Sequence, residues 1–293
     1  MLRTLTYSLP DLKQAWLVLF LFVLGQLAAS VLLGLILGIF QLQDTQNLTM
    51  PLSYALSYVL PLLYLYWKGL RRLNDPLKEG QPEYDEIRLN RPCFGGMRLW
   101  AFIPLVIIVM LAVIILLSCL PEGREMPEWF RQALSQVYGM KLAVNLLTMG
   151  VLAPVLEEFL FRGIILTGLS RRMDPWWAIL WSSVLFAIAH LNPWQALPAF
   201  AMGCFFGWLY YRTRSLWTVI GLHSLNNVMA IAAAALFGVE EVTQENIQSV
   251  FGETAAYIMV AVAAIVLVAG IGLINKYIPA KNKSYNEKGD ISH

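Results

Sequence analysis

Apolar runs long enough to cross a lipid bilayer dominate this chain and leave it few folds to choose from. Eight stretches qualify: 16–40, 51–67, 99–120, 142–169, 175–191, 195–211, 216–237 and 255–275. A helical span needs about 20 apolar residues, so the second, fifth and sixth are short. The expected fold class is all-α, a polytopic membrane helix bundle with eight transmembrane helices. Composition agrees: 58% of the residues are hydrophobic and 14% charged, against roughly one quarter charged in a soluble domain. The first run is too long for a signal-peptide core, so it reads as a retained helix. No polar insert is large enough to fold alone, and residues 1–293 are expected to form a single membrane domain.

Net charge is only +2, but its placement sets an orientation. Lys68, Arg71, Arg72, Lys78, Arg88, Arg91 and Arg98 crowd the connection after the second run. Arg171 and Arg172, then Arg212 and Arg214, then Lys276, Lys281, Lys283 and Lys288 follow the fourth, sixth and eighth runs. The alternate connections carry Asp44, a mixed stretch at 122–141, no charge, and then Glu240, Glu241, Glu245 and Glu253. Basic connections stay cytoplasmic, so both termini are expected on the cytoplasmic side of a multi-pass protein in a cell membrane, the bacterial inner membrane. Topology accounts for the basic residues, and no nucleic-acid partner is expected. Cys93, Cys119 and Cys204 show no CxxC spacing and read as packing residues.

Residues 68–98, rich in Pro and Gly, read as a cytoplasmic linker, and 281–293 as a polar tail. The stretch 126–141 is either an amphipathic surface helix or a simple loop. Glu157, Glu158 and Arg162 are the only formally charged residues inside any of the eight runs. Two of the three histidines, His190 and His223, also fall in apolar runs. Runs one to three hold no charge and read as packing partners; the functional core begins near Leu142 and extends over 142–239.

A charge in hydrocarbon costs roughly 2.5–3.5 kcal/mol even on the lenient insertion scale, so these groups pair, face water or do chemistry. Glu158 and Arg162 are four apart with the acid first, the favourable order for a pair on one helix face. Glu157 points about 100° away and has no partner on its own helix, which suits a general base. Pro154 removes a backbone bond just upstream, so the helix is expected to bend beside the site. His223 and Asn227 are one turn apart and aim into one pocket, with Asn226 as a competitor. A carboxylate, imidazoles and an amide donor are the parts needed to activate water and stabilise an oxyanion.

Glu157-Glu158-x-x-x-Arg162, Phe186-x-x-x-His190 and His223-x-x-x-Asn227, in this order, resemble the three motifs of the CAAX-processing and bacteriocin-processing (CPBP, or Abi) intramembrane endopeptidases. The stretch 203–217 is similar to the segment before the last motif in bacterial members, which makes a prenylated substrate unexpected. The resemblance covers roughly 142–239; the other runs and both tails carry no such signature. It implies an eight-helix bundle that hydrolyses a peptide or membrane-protein substrate. By carry-over, Glu157 with His190 activates water, and His223 with Asn227 stabilises the oxyanion. Glu158 and Arg162 support them.

Counting ~1.5 Å per residue from the basic ends puts Glu157 about 20 Å deep, His190 about 24 Å, His223 about 12 Å and Asn227 near 18 Å. On that count His190 lies too far outward to meet His223 unless the helices tilt. Competing readings are a zinc protease using the same residues, a proton-coupled transporter with Glu157 and His190 as relay, and a non-catalytic scaffold. There is no HExxH, no GxSG and no aspartate in any run. The expected cofactor is none, with zinc as the alternative, since asparagine is a poor zinc ligand and the spacings match no usual signature.

Overall fold

The computed structural model describes residues 4–5, 9–41, 46–73, 89–118, 127–238 and 247–278. Cys119, residues 74–88 of the linker, the acidic residues at 240, 241 and 245, and the tail 281–293 lie outside the described residues. Among the described residues all regular structure is helical, and a helix occupies each of the eight apolar runs.

Helix α1 (Leu12–Phe40) starts at a capping box, where Asp11 accepts from the Gln14 amide and Gln14 accepts from the Asp11 amide. Its buried stripe is Ala15, Val18, Leu19, Phe22, Gly25 and Ala29; Phe20, Leu27 and Leu35 face outward. Helices α2 (Gln46–Ser57) and α3 (Val59–Leu73) continue one another across a break at Tyr58. Pro61 explains the break: it cannot donate to the Ser57 carbonyl, and its ring crowds that turn. The freed carbonyl lies against α1, where a Cβ on Gly25 would sit 2.6 Å from Ser57 O. Only glycine lets α1 approach so closely.

Helix α4 (Leu99–Leu117) is followed by α5 (Glu128–Tyr138), which turns through 103° into the long α6 (Leu142–Ser170). The 126–141 stretch is thus a helix over most of its length, with exposed Trp129 meeting the Trp194 ring edge-on. Within α6, residues 146–152 and 159–166 form wide π-helical turns around the α-helical stretch Ala153–Glu158. The perturbation expected at Pro154 takes this form, and the Ala153 amide reaches back to Thr148 O. Helix α7 (Pro175–Ala189), α8 (Pro193–Thr213), α9 (Leu216–Phe237), the short α10 (Ile247–Phe251) and α11 (Glu253–Tyr277) complete the order.

Among the described residues, five stretches are long and apolar enough to cross a membrane: α1, α2–α3 as Asn47–Arg72, α4, α9 and α11. The bent pair α5–α6 supplies a sixth, as a broken span or a re-entrant loop. Length and apolarity by themselves therefore support five or six candidate spans among the described residues, where the sequence predicts eight. At 15 residues α7 is only about 22 Å long, short of the bilayer core.

Helix α6 lies at the centre of the core, with Leu160, Phe161, Ile164, Ile165, Leu166 and Leu169 all at 1% exposure or less. On α8, Gly203 and Gly207 admit α7: added Cβ atoms would stand 3.0 Å from Ser183 Cβ and 3.2 Å from Ile179 Cγ2. That is the close packing expected of a GxxxG pair. The described end of the linker forms a strap. Arg91 N and Cys93 N donate to Arg214 O and Thr213 O, the Tyr210 hydroxyl donates to Leu89 O, and Asn90 caps α9 through Leu216 N. Cys93 and Cys204 are free thiols.

Candidate active site

The fully buried pair forms on α6 as its spacing predicts. Arg162 Nη1 donates to Glu158 Oε1 at 3.0 Å, with Glu158 at 0% and Arg162 at 1% exposure. The guanidinium also donates to the Gly203 carbonyl at 3.3 Å and lies over the Phe186 ring, 4.3 Å from its centroid. Burying the ion is tolerable because the carboxylate neutralises its charge, both terminal nitrogens donate and aromatic rings lie over it, while Nε has no hydrogen-bond partner among the described residues.

Glu158 Oε1 serves a second donor. His223 Nδ1, from α9, lies 2.8 Å away. The imidazole is held between Phe206 (5.6 Å between centroids) and the edge of Phe186 (5.9 Å). Its Nε2 faces Glu157 Oε2 at 3.7 Å. His223 therefore stands between the two carboxylates. With Nδ1 donating to Glu158, Nε2 can donate only when the ring is an imidazolium. In that state the two carboxylates, the guanidinium and the imidazolium sum to zero charge.

Glu157 has no partner on its own helix, as expected, but it is not alone. Its Oε1 accepts from the Tyr54 hydroxyl of α2, while Oε2 is buried without a hydrogen-bond partner among the described residues. The second apolar run thus contributes to the site and is more than a packing partner. The signal was present: Tyr54 and Tyr58 lie four apart in an apolar run, and buried phenols need partners.

His190 caps the end of α7, and its Nδ1 lies 2.8 Å from Phe186 O. A carbonyl only accepts, so Nδ1 carries the proton and Nε2 of the neutral ring is left as the basic nitrogen. Leu191, at φ 53°, turns the chain sharply, and Asn192 caps α8 by accepting from Trp194 N. The depth difficulty resolves locally. A helical side chain leans back toward the N-terminus, and the His190 ring lies over Phe186, one turn earlier, at 4.8 Å. His190 and His223 thus flank one phenyl ring, their centroids no more than 10.7 Å apart. Between Glu157 and a histidine, the short approach is made by His223, not by His190.

Asn227 donates from Nδ2 to Met149 O, in the first π-helical segment, at 2.8 Å. Asn226 donates to Asn227 Oδ1 at 3.2 Å. Asn226 therefore orients the amide instead of competing with it, and leaves one Nδ2 hydrogen uncommitted. Pro154 signals a disturbance beside the wide turn that exposes Met149 O, but not the form it takes. Among the described residues, no group of three His, Cys, Asp or Glu side chains is arranged to hold a metal ion.

Residues 139–229 match the family described as "Type II CAAX prenyl endopeptidase Rce1-like". A Bacillus subtilis (strain 168) protein named "Putative membrane peptidase YdiL" is 37% identical over 81 residues, 28% of this chain and 33% of that relative. The chain thus spans about a third of the length of the curated relative it matches. No solved structure matches the chain significantly. The matched segment contains the motif side chains Glu157, Glu158, Arg162, His190, His223 and Asn227, and over that segment the chain is similar to CAAX-type membrane endopeptidases.

Proposed function

We propose that this protein is an intramembrane endopeptidase that hydrolyses a peptide or membrane-protein substrate with water activated by Glu157 and His190. His223 and Asn227 hold the developing oxyanion, and Glu158 and Arg162 support them. One observation carries the reading. The buried, unpartnered Glu157 Oε2 faces His223 Nε2 across 3.7 Å, where an acceptor for a proton and a donor to an oxyanion are both needed.

The hydrogen bonds favour this division of roles. His190 keeps Nε2 basic by giving its Nδ1 proton to Phe186 O. His223, once protonated between Glu157 and Glu158, presents Nε2–H. Asn227 adds the remaining Nδ2 hydrogen, held in aim by Asn226 and Met149 O. Glu158 bridges Arg162 and His223, so it fixes both without touching substrate. The reaction as proposed uses no metal.

In this reading the chain crosses a bacterial inner membrane eight times, α7 and α8 included, with both termini cytoplasmic. A transporter of protons through Glu157 and His190 would instead show substrate flux that survives removal of Asn227. The test is hydrolysis itself. Protein reconstituted in vesicles with a peptide library in H₂¹⁸O should place one ¹⁸O in each new C-terminal carboxylate, and should release no such products as Glu157→Gln. Substrate flux without bond cleavage would overturn the proposal.

A further inference from the structure

Tyr54 reaches the site from α2, far outside the segment that carries the three motifs. Its O–H donates to Glu157 Oε1, and its oxygen lies 3.0 Å from the Tyr58 hydroxyl. Tyr58 is 2% exposed, and its ring packs edge-on against Phe22 at 5.0 Å and Tyr54 at 5.6 Å. An ionised carboxylate only accepts, so the hydroxyls are ordered: Tyr58 donates to Tyr54, and Tyr54 donates to Glu157. The break at Tyr58 and the close approach of Gly25 to Ser57 O fix the backbone that presents both rings.

The two oxygens of Glu157 are thereby made unequal. Rotation of a free glutamate carboxyl about its last torsion is broad and nearly twofold. With Oε1 held by Tyr54, only Oε2 faces His223 Nε2. Building on the general-base role of Glu157, we infer that Tyr54 is a positioning residue of the reaction: its hydroxyl, backed by Tyr58, clamps Oε1 so that Oε2 receives the proton from water. Nothing in the motif-bearing segment supplies this constraint, since Glu157 has no hydrogen bond to its own helix.

Tyr54→Phe removes one O–H and keeps the ring that packs on Tyr58. The charged and titratable groups facing Glu157 are Tyr54 and Tyr58 from α2 and its break, His223 from α9, and Glu158 and Arg162 from α6. Loss of a hydrogen bond to a charged group should lower kcat by about 10- to 100-fold, with KM changed by less than about twofold. Tyr58→Phe leaves the clamp in place but unsupported, and should give the same changes at smaller size.

An activity-independent readout runs in parallel. The carboxylate stretch of Glu157, isolated as the infrared difference between protein with and without Glu157→Gln, should shift in frequency in Tyr54→Phe, because Oε1 loses its donor. Wild-type kcat together with an unshifted carboxylate band would overturn the clamp while leaving the general-base reading intact. A fully active Glu157→Gln would overturn the general-base reading, and the infrared band position would then decide the clamp alone.

Discussion

Replacing Glu158 by alanine should damage stability more than any other single change at the site. The carboxylate is fully buried and its Oε1 takes two donors, Arg162 Nη1 at 3.0 Å and His223 Nδ1 at 2.8 Å. Without it, Arg162 at 1% exposure keeps only the Gly203 carbonyl at 3.3 Å and the faces of Phe186 and Phe206. Breaking a buried pair and stranding the other charge costs about 3–5 kcal/mol. For a chain of this size that corresponds to a melting temperature lower by on the order of 10 °C. Thermal unfolding in detergent, followed by tryptophan fluorescence, measures it. Adding Arg162→Leu removes the stranded charge and should restore most of the melting temperature but not the activity, because His223 still lacks its anchor. A Glu158→Ala protein as stable as wild type would refute the pairing argument.

Three further outcomes follow from the same geometry. Asn227→Ala should lower kcat by about 10²–10³ with little change in KM, the usual effect of deleting one oxyanion donor, measured by steady-state kinetics. Purified protein should hold no stoichiometric zinc and survive prolonged chelation; one zinc per chain, lost with activity and restored on re-addition, would replace the carboxylate mechanism by a metal one. Gly203→Val should cost about 1–3 kcal/mol in thermal unfolding, because its Cβ would meet Ser183 Cβ at 3.0 Å and force α7 and α8 apart.

Much of the site was legible because lipid makes polar groups conspicuous. Glu157, Glu158, Arg162, His190, His223 and Asn227 stand out in apolar runs, and helical spacing was enough to pair Glu158 with Arg162. Spacing along one helix says nothing about neighbours from other helices. It therefore missed Tyr54 on Glu157 and the placement of His223 between both carboxylates. Counting rise per residue misjudged His190, since it locates backbone while the ring folds back one turn onto Phe186. The π-helical turns that expose Met149 O arise from how α6 accommodates Pro154 within the packed bundle. Pro154 marks a disturbance in α6 but not the π-helical form it takes.

The central claim is that Glu157 takes the proton from water, and turnover of Glu157→Gln tests it most directly. Glutamine keeps the size of the side chain and an acceptor for the Tyr54 hydroxyl, and it strands no other charge, since Arg162 remains paired with Glu158. The variant should fold with a melting temperature near that of wild type. Its hydrolysis of any peptide that wild type cleaves should fall below about one per cent, in keeping with loss of a general base worth about 10²–10⁴ in rate. A folded Glu157→Gln protein that cleaves the same bonds at more than a few per cent of the wild-type rate would contradict the account.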